Sequence, residues 1–305
     1  MINRFDDANI ESLFGAQALT RLQNQSRGGT NGKDGSKYEL FICAHRVARL
    51  ARKYILTREN AVIEWQSQGF VDDVVVRRDD TLSIKAYQLK KSKSVSWSAE
   101  SNKIESDFRN QEMLSRAEGY TDVRLRLVCS NEKLATTLAN KMPSSIASFS
   151  KAIFFPYDAH LQLLFKDHTW LNDDFGFLSK HESPTKMDAE QVAIVLLGAL
   201  TALPASAKVS EVLELARSTA PTLLRSFESD QDAYGKIWPA TKVILDSILD
   251  LKYEVVRGFL SWSDASGTTT GVLSYDCFDS KFDMFQKSIA RIKPKSFSEI
   301  EGELR

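Results

Sequence analysis

Residues 71–90 read VDDVVVRRDDTLSIKAYQLK, and this stretch decides the fold that the sequence predicts. The valine-rich run over 71–77 and the alternating run from Leu82 to Lys90 are each typical of a β-strand. Asp79-Asp80 between them is a turn signal, so the two strands form a hairpin.

The polar residues of this hairpin fall on defined faces. Successive strand side chains point to opposite faces of a sheet, so Gln88 and Lys90 share one face. Asp72 and Asp73 point to opposite faces, and only one of the two carboxylates can join that pair. We take Asp73 as that residue, and the choice between the two acids stays open at this point.

The segment before the hairpin predicts a basic amphipathic helix over residues 36–54. Its apolar residues recur at helical spacing, and its other face carries several arginines, among them Arg46 and Arg49. Glu39 lies in the first turn, where a carboxylate is favoured by the helix dipole. The glycine-rich run 28–35 precedes this helix and predicts a linker.

The segment after the hairpin predicts a crossover. A helix over residues 98–117 is followed by a strand over 123–128 and by a second helix that begins at Ser130 and ends before Pro143. A strand, a helix and another strand in this order indicate parallel strands. The predicted class is therefore α/β, with a mixed central sheet flanked by helices.

Beyond Pro143 the pattern changes to aromatic-rich segments and further helices. Helical periodicity recurs at 187–203, 208–218 and 239–250. A hairpin of strands 253–262 and 271–278 is expected next, and then a closing helix over 280–292. Composition thus predicts two domains, an α/β core over 1–145 and a mainly helical module with a small hairpin over 146–305.

Composition restricts the functional class only weakly. The 305 residues carry 40 Lys+Arg against 40 Asp+Glu, but residues 28–95 carry 13 Lys and Arg against 8 Asp and Glu. This local excess is compatible with binding to a phosphate backbone or with an ordinary solvated helix face. Apolar runs are too short for a membrane span, and three widely spaced cysteines favour a reducing compartment, so a cytoplasmic protein without membrane contact is expected.

The hairpin also has the composition of a phosphodiester-hydrolysing site. Such sites need a carboxylate for Mg²⁺, a second oxygen ligand and a cation near the attacking water. Asp73, Gln88 and Lys90 would supply these groups from two adjacent strands.

The order of Glu39, Asp73, Gln88 and Lys90 on helix, hairpin and crossover resembles the PD-(D/E)xK, or restriction-endonuclease-like, nucleases. The glycine-rich run before Tyr38-Glu39 and the Tyr-Gln-x-Lys step look like the double-stranded-DNA endonuclease effectors of bacterial anti-phage systems of the CBASS and Lamassu type. The resemblance covers about residues 28–135. It implies a restriction-endonuclease-like fold and a Mg²⁺-dependent endodeoxyribonuclease, with Mn²⁺ as a possible substitute.

The resemblance implies roles for the candidate residues. Asp73 and Glu39 would bind metal, Gln88 would complete the coordination through its oxygen, and Lys90 would orient the attacking water. Gln88 replaces the usual acid of the family, which predicts weak metal affinity. The candidate contacts to double-stranded DNA are Lys85, Lys91, Lys93, Arg46 and Arg49.

Two other interpretations remain open. The chain would alternatively be a catalytically weak or inert nucleic-acid-binding or assembly subunit, or a pure interaction protein. No nucleotide-sensing or ATPase motif is recognisable, so sensing or ATPase function is expected from partner proteins, and a homo-oligomer is possible. Aromatic residues near the C-terminus, namely Trp238, Tyr253, Phe259 and Trp262, are the expected partner contacts.

Overall fold

The computed structural model describes residues 7–20, 33–65, 67, 69–91, 94–98, 104–158 and 160–304. The chain forms two compact units whose segments alternate along the sequence. Unit 1 comprises Met1–Leu171 and Leu196–Glu214, and unit 2 comprises Asn172–Val195 and Leu215–Arg305.

Unit 1 begins with helix α1 (Asp7–Phe14) and continues after the undescribed residues with helix α2 (Lys33–Thr57). Gly15 ends α1 at a positive φ of 84°. Helix α2 begins three residues earlier than predicted, inside the glycine-rich run. Glu39 therefore lies in its second turn and not in the first.

A mixed six-stranded sheet forms the centre of unit 1. Its strands are β1 (Val62–Trp65), β2 (Val74–Arg78), β3 (Ser83–Lys90), β4 (Asp122–Cys129), β5 (Ser150–Phe154) and β6 (Ser206–Lys208), and their spatial order is β5-β4-β3-β2-β1-β6. The β3–β4 and β4–β5 pairs are parallel, and the other pairs are antiparallel. The predicted α/β class with a mixed sheet is thus confirmed.

Helices cover both faces of this sheet. Helix α2 packs against β1 and β2 through an alanine- and valine-rich stripe that includes Ala44 and Val47, both fully buried. Helices α3 (Ile104–Ala117) and α4 (Glu132–Asn140) pack on β4, and α4 also packs on β5. The core on the α3 face contains Val75, Ile84 and Ala86, which alternate with residues of the α2 face as a strand pattern requires.

The sheet extends beyond the domain boundary predicted at residues 145/146. Strands β5 and β6 both come from the later part of the sequence, and β6 pairs with β1. The composition changes near residue 145, but these strands are only five and three residues long and give little periodic signal.

Unit 2 contains helices and a second, three-stranded sheet of order β7-β8-β9. Its strands are β7 (Leu251–Val256), β8 (Phe259–Asp264) and β9 (Thr270–Val272). Of the helices that precede this sheet in the chain, α5 (Leu161–Asp167) belongs to unit 1. Residues of both units occur in α6 (Trp170–Gly176), α7 (Lys186–Ala202) and α8 (Val209–Thr219). They are followed by α9 (Asp230–Tyr234), α10 (Pro239–Asp246), α11 (Ser280–Ile292) and α12 (Phe297–Leu304).

The single strand predicted over 253–262 is wrong, because the chain reverses at Arg257-Gly258. Both residues adopt positive φ, 54° and 85°, and Val256 pairs with Phe259 across the two-residue turn. The Arg257 guanidinium donates to the backbone oxygens of Gly176 and Ser179 at 3.1 and 2.7 Å, which ties the turn to the end of α6.

Candidate active site

The site begins with a polar pair across β2 and β3. Val74 pairs with Tyr87, so Asp73 lies just before β2 and opposite Gln88. Asp73 Oδ2 accepts hydrogen bonds from Gln88 Nε2 at 2.6 Å and from the Leu89 backbone N–H at 2.5 Å. Asp73 and Gln88 therefore lie together, as the strand alternation predicts.

Asp72 is the second carboxyl group of the site. Its backbone oxygen accepts from the Ser67 N–H at 2.9 Å, which holds the segment before β2 in a turn. Burial, and then the charge of Asp73, raises the pKa of Asp72 to about 7, although Lys90 acts in the opposite direction. Near neutral pH this carboxyl group is thus divided between its neutral and charged forms.

Asp73 is partly buried beside the same positive charge. Burial raises its pKa, while the Leu89 N–H, the Lys90 ammonium and Gln88 each act to lower it. Lys90, the last residue of β3, therefore interacts electrostatically with both acids.

Glu39 approaches the site from α2. Its charge raises the pKa of Asp72 and that of Cys43, so Glu39 lies on the α2 side of the sheet with Asp72. Asp73 and Gln88 instead continue the face of Val75 and Ala86. The site thus contains Asp72, Asp73, Gln88 and Lys90 at one end of the hairpin, with Glu39 acting from the helix.

The oxygen donors of the site suit a hard cation such as Mg²⁺ or Mn²⁺ by their chemical type. Burial raises the pKa of both acids, and a bound cation would favour their charged forms. Within the described ranges, however, no group of three or more His, Cys, Asp and Glu could hold a metal ion. Gln88 also turns its nitrogen toward Asp73, so its amide would have to turn over to become a ligand. The described residues of the site therefore offer oxygen donors but no formed cation-binding group.

A basic groove lies on the α2 face of the hairpin. It has a volume of about 510 Å³ and includes Arg46, Arg49 and Lys85 among its lining residues, all three of which are candidate phosphate contacts. Arg78 also lines the groove and was not singled out from the sequence. It is the last residue of β2 and lies on the same face of the strand as Val76. The period-2 alternation of β2 would have identified Arg78 as a candidate phosphate contact.

The remaining two basic candidates lie elsewhere. Lys91 follows β3, and its ammonium nitrogen lies 3.8 Å from the centre of the Tyr157 ring, a cation–π contact. Lys93 lies outside the residues that the structure describes.

The aromatic residues proposed as partner contacts are partly inside the protein. Phe259 is fully buried, and Trp262 is buried with its Nε1 donating to the Leu304 oxygen at 3.2 Å, so neither is an exposed contact. Trp262 belongs to the core of unit 2, whereas Trp238 and Tyr253 are partly exposed. Cys43, Cys129 and Cys277 are all buried and free.

Among the described helices, none combines the length and apolar character that crossing a membrane requires. The chain matches no protein-family model, no curated protein and no solved structure.

Proposed function

We propose that this chain is a metal-dependent DNA endonuclease of the PD-(D/E)xK type and the effector of a bacterial anti-phage defence system. The observation that carries the proposal is the Asp73–Gln88 pair, with Asp72 and Lys90 beside it at the end of the hairpin. A basic groove on the same hairpin supports it.

The residues of the site have separate tasks in this proposal. A bound Mg²⁺ would acidify the attacking water and neutralise charge on the phosphoryl oxygens. Asp73 and Gln88 would hold the cation, and Asp72 and Glu39 would add the negative charge that attracts it. Lys90 would orient the water and stabilise the charge that develops on the phosphorus oxygens.

The cellular setting is part of the same proposal. We place the protein in the cytoplasm, where its free cysteines stay reduced. Double-stranded DNA is the proposed substrate. Partner proteins would supply sensing or ATPase function, since the sequence carries no recognisable motif for either.

A second function is favoured by one specific observation. Gln88 donates its amide nitrogen to Asp73, which satisfies the carboxylate without a cation. A chain that retains this arrangement permanently would bind nucleic acid but not cut it.

Nicking of supercoiled plasmid with and without Mg²⁺ tests the proposal. We expect Asp73→Asn to reduce Mg²⁺-dependent nicking by at least about 100-fold, because it removes the main anionic ligand with little change in shape. Asp80→Asn is the matched control, because Asp80 is an exposed acid in the turn of the same hairpin. Nicking activity that persists in Asp73→Asn contradicts the site assignment. A wild type that binds DNA but does not nick it supports the second function.

A further inference from the structure

We infer that the groove between α2 and β3 binds the phosphate backbone of the nucleic acid and leads it toward the end of the hairpin at which Asp72 lies; this inference rests on the proposed function. The groove is lined on the helix side by Arg46 and Arg49 and on the strand side by Arg78 and Lys85. Asp122 is the acid that lines it, and its carboxylate already pairs with Arg124 Nε at 2.6 Å. The lining thus carries an excess of positive charge.

The cations of the groove act on one another. Burial, then Arg78 and Arg126, lowers the pKa of Lys85, and Asp122 offsets this only in part. Burial and the charges of Arg124 and Arg46 likewise lower the pKa of Arg126. Cations that repel one another are stabilised when a polyanion binds between them.

Arg46 is held in a position that suits this role. Its guanidinium lies 5.1 Å from the centre of the Tyr87 ring, and its Nε has no hydrogen-bond partner among the described residues. The ring fixes the side chain without neutralising its charge, as a carboxylate would.

The direction of the groove connects it to the acids. Thr81 and Ser83 line the end at the hairpin turn, and Tyr87 lines the end nearest to Gln88. At about 3.3 Å per strand residue, β3 covers about 23 Å from Ser83 to Lys90. A backbone that follows β3 on the α2 face would therefore reach the end of the hairpin on the side of Asp72 and Glu39, whereas Asp73 and Gln88 lie on the opposite face.

Binding without cleavage tests the inference. The double variant Arg78→Gln/Lys85→Gln and the wild type are compared in EDTA by fluorescence anisotropy with a labelled 20-base-pair duplex, over a range of salt concentrations. We expect the affinity to fall about tenfold per removed charge at low salt, and the slope of log K against log salt to become shallower by about 2. Lys133→Gln/Lys141→Gln is the matched control, because it removes two exposed lysines near α4 in the same unit.

A crosslinking variant tests the groove inference even if the double variant is unstable. Because all three native cysteines are buried, a photo-crosslinker attached to Thr81→Cys labels one exposed position. We expect it to crosslink to the duplex, whereas the same group at Thr136→Cys on α4 should not.

The outcomes separate the two proposals. Unchanged binding in the groove variant, or equal crosslinking from both positions, overturns the groove inference even if the wild type cuts DNA. Lost binding in the groove variant, with a wild type that never cuts, overturns the nuclease proposal and supports the groove as a nucleic-acid contact.

Discussion

Asp72 makes the stability of unit 1 depend on pH. Its pKa is raised from the ordinary value of 3.8 to about 7, so between these values the folded state retains a proton that the unfolded state releases. The contribution is therefore favourable at acidic pH and is lost as the pH rises through about 7. Asp72→Asn removes this effect, because an amide has no charge to bury.

We expect Asp72→Asn to be more stable than the wild type at pH 8 by about 1–2 kcal/mol, with the difference vanishing near pH 4. Urea unfolding at several pH values measures this, with Asp80→Asn as the exposed control. A stability difference that grows toward acidic pH would have the wrong sign and would contradict the assignment.

Gln88 determines whether the site tolerates the absence of a cation. Gln88→Glu replaces the donor to Asp73 by a second carboxylate, so the two like charges repel in a partly buried place. We expect this variant to lose about 1–3 kcal/mol in EDTA and to regain most of it in Mg²⁺. Thermal melting with and without the cation measures both effects, and an equal response of wild type and variant to Mg²⁺ argues against a ligand role.

At the scale of single elements, the sequence predicted the strands and helices that carry strong periodicity. The strand predicted over 82–90 corresponds to β3, and the faces of Gln88 and Lys90 follow from it. The direction of the Gln88 amide was not predictable, because either end of an amide can face a carboxylate or a cation. The turn at Arg257-Gly258 was missed because apolar residues on both sides continue the strand pattern.

Gly258 is required by that turn. A Cβ at this position would lie 2.2 Å from Ser226 Cβ, and the φ of 85° disfavours any side chain. We expect Gly258→Ala to destabilise unit 2 by about 2–4 kcal/mol.

Gly267→Ala is the matched control, because Gly267 also has a positive φ, 74°, but no atom lies within 4 Å of its added Cβ. We expect a loss of only about 1 kcal/mol there, measured by chemical unfolding. Equal losses in both variants would show that the contact with Ser226 is unimportant.

At the scale of the whole molecule, the six-stranded sheet needs residues far beyond the candidate site. A chain ending at Met142 lacks β5 and β6, so it leaves β4 and β1 as open edges. We expect this truncation to aggregate or to unfold without cooperativity, whereas a chain ending at residue 220 keeps all six strands. Circular dichroism and size-exclusion chromatography compare the two. A well-folded 1–142 chain would contradict the contribution that we assign to the outer strands.

The sequence pattern could not predict that the segments of the two units alternate along the chain. The three residues of β6 pair with β1 across about 140 intervening residues, and nothing in their composition marks that partner. A boundary drawn from composition places such a strand with its neighbours in the chain, whereas the sheet places it with distant residues.

The pairing of β6 with β1 has a consequence during synthesis on the ribosome. The edge of β1 stays unpaired from the moment Trp65 emerges until Ser206 has followed it, and at about 5–20 residues per second this takes about 7–28 seconds. Throughout that interval the nascent chain presents an exposed hydrogen-bonding edge to neighbouring polysomal chains. Translation speed and chaperone supply should therefore influence the yield of this protein.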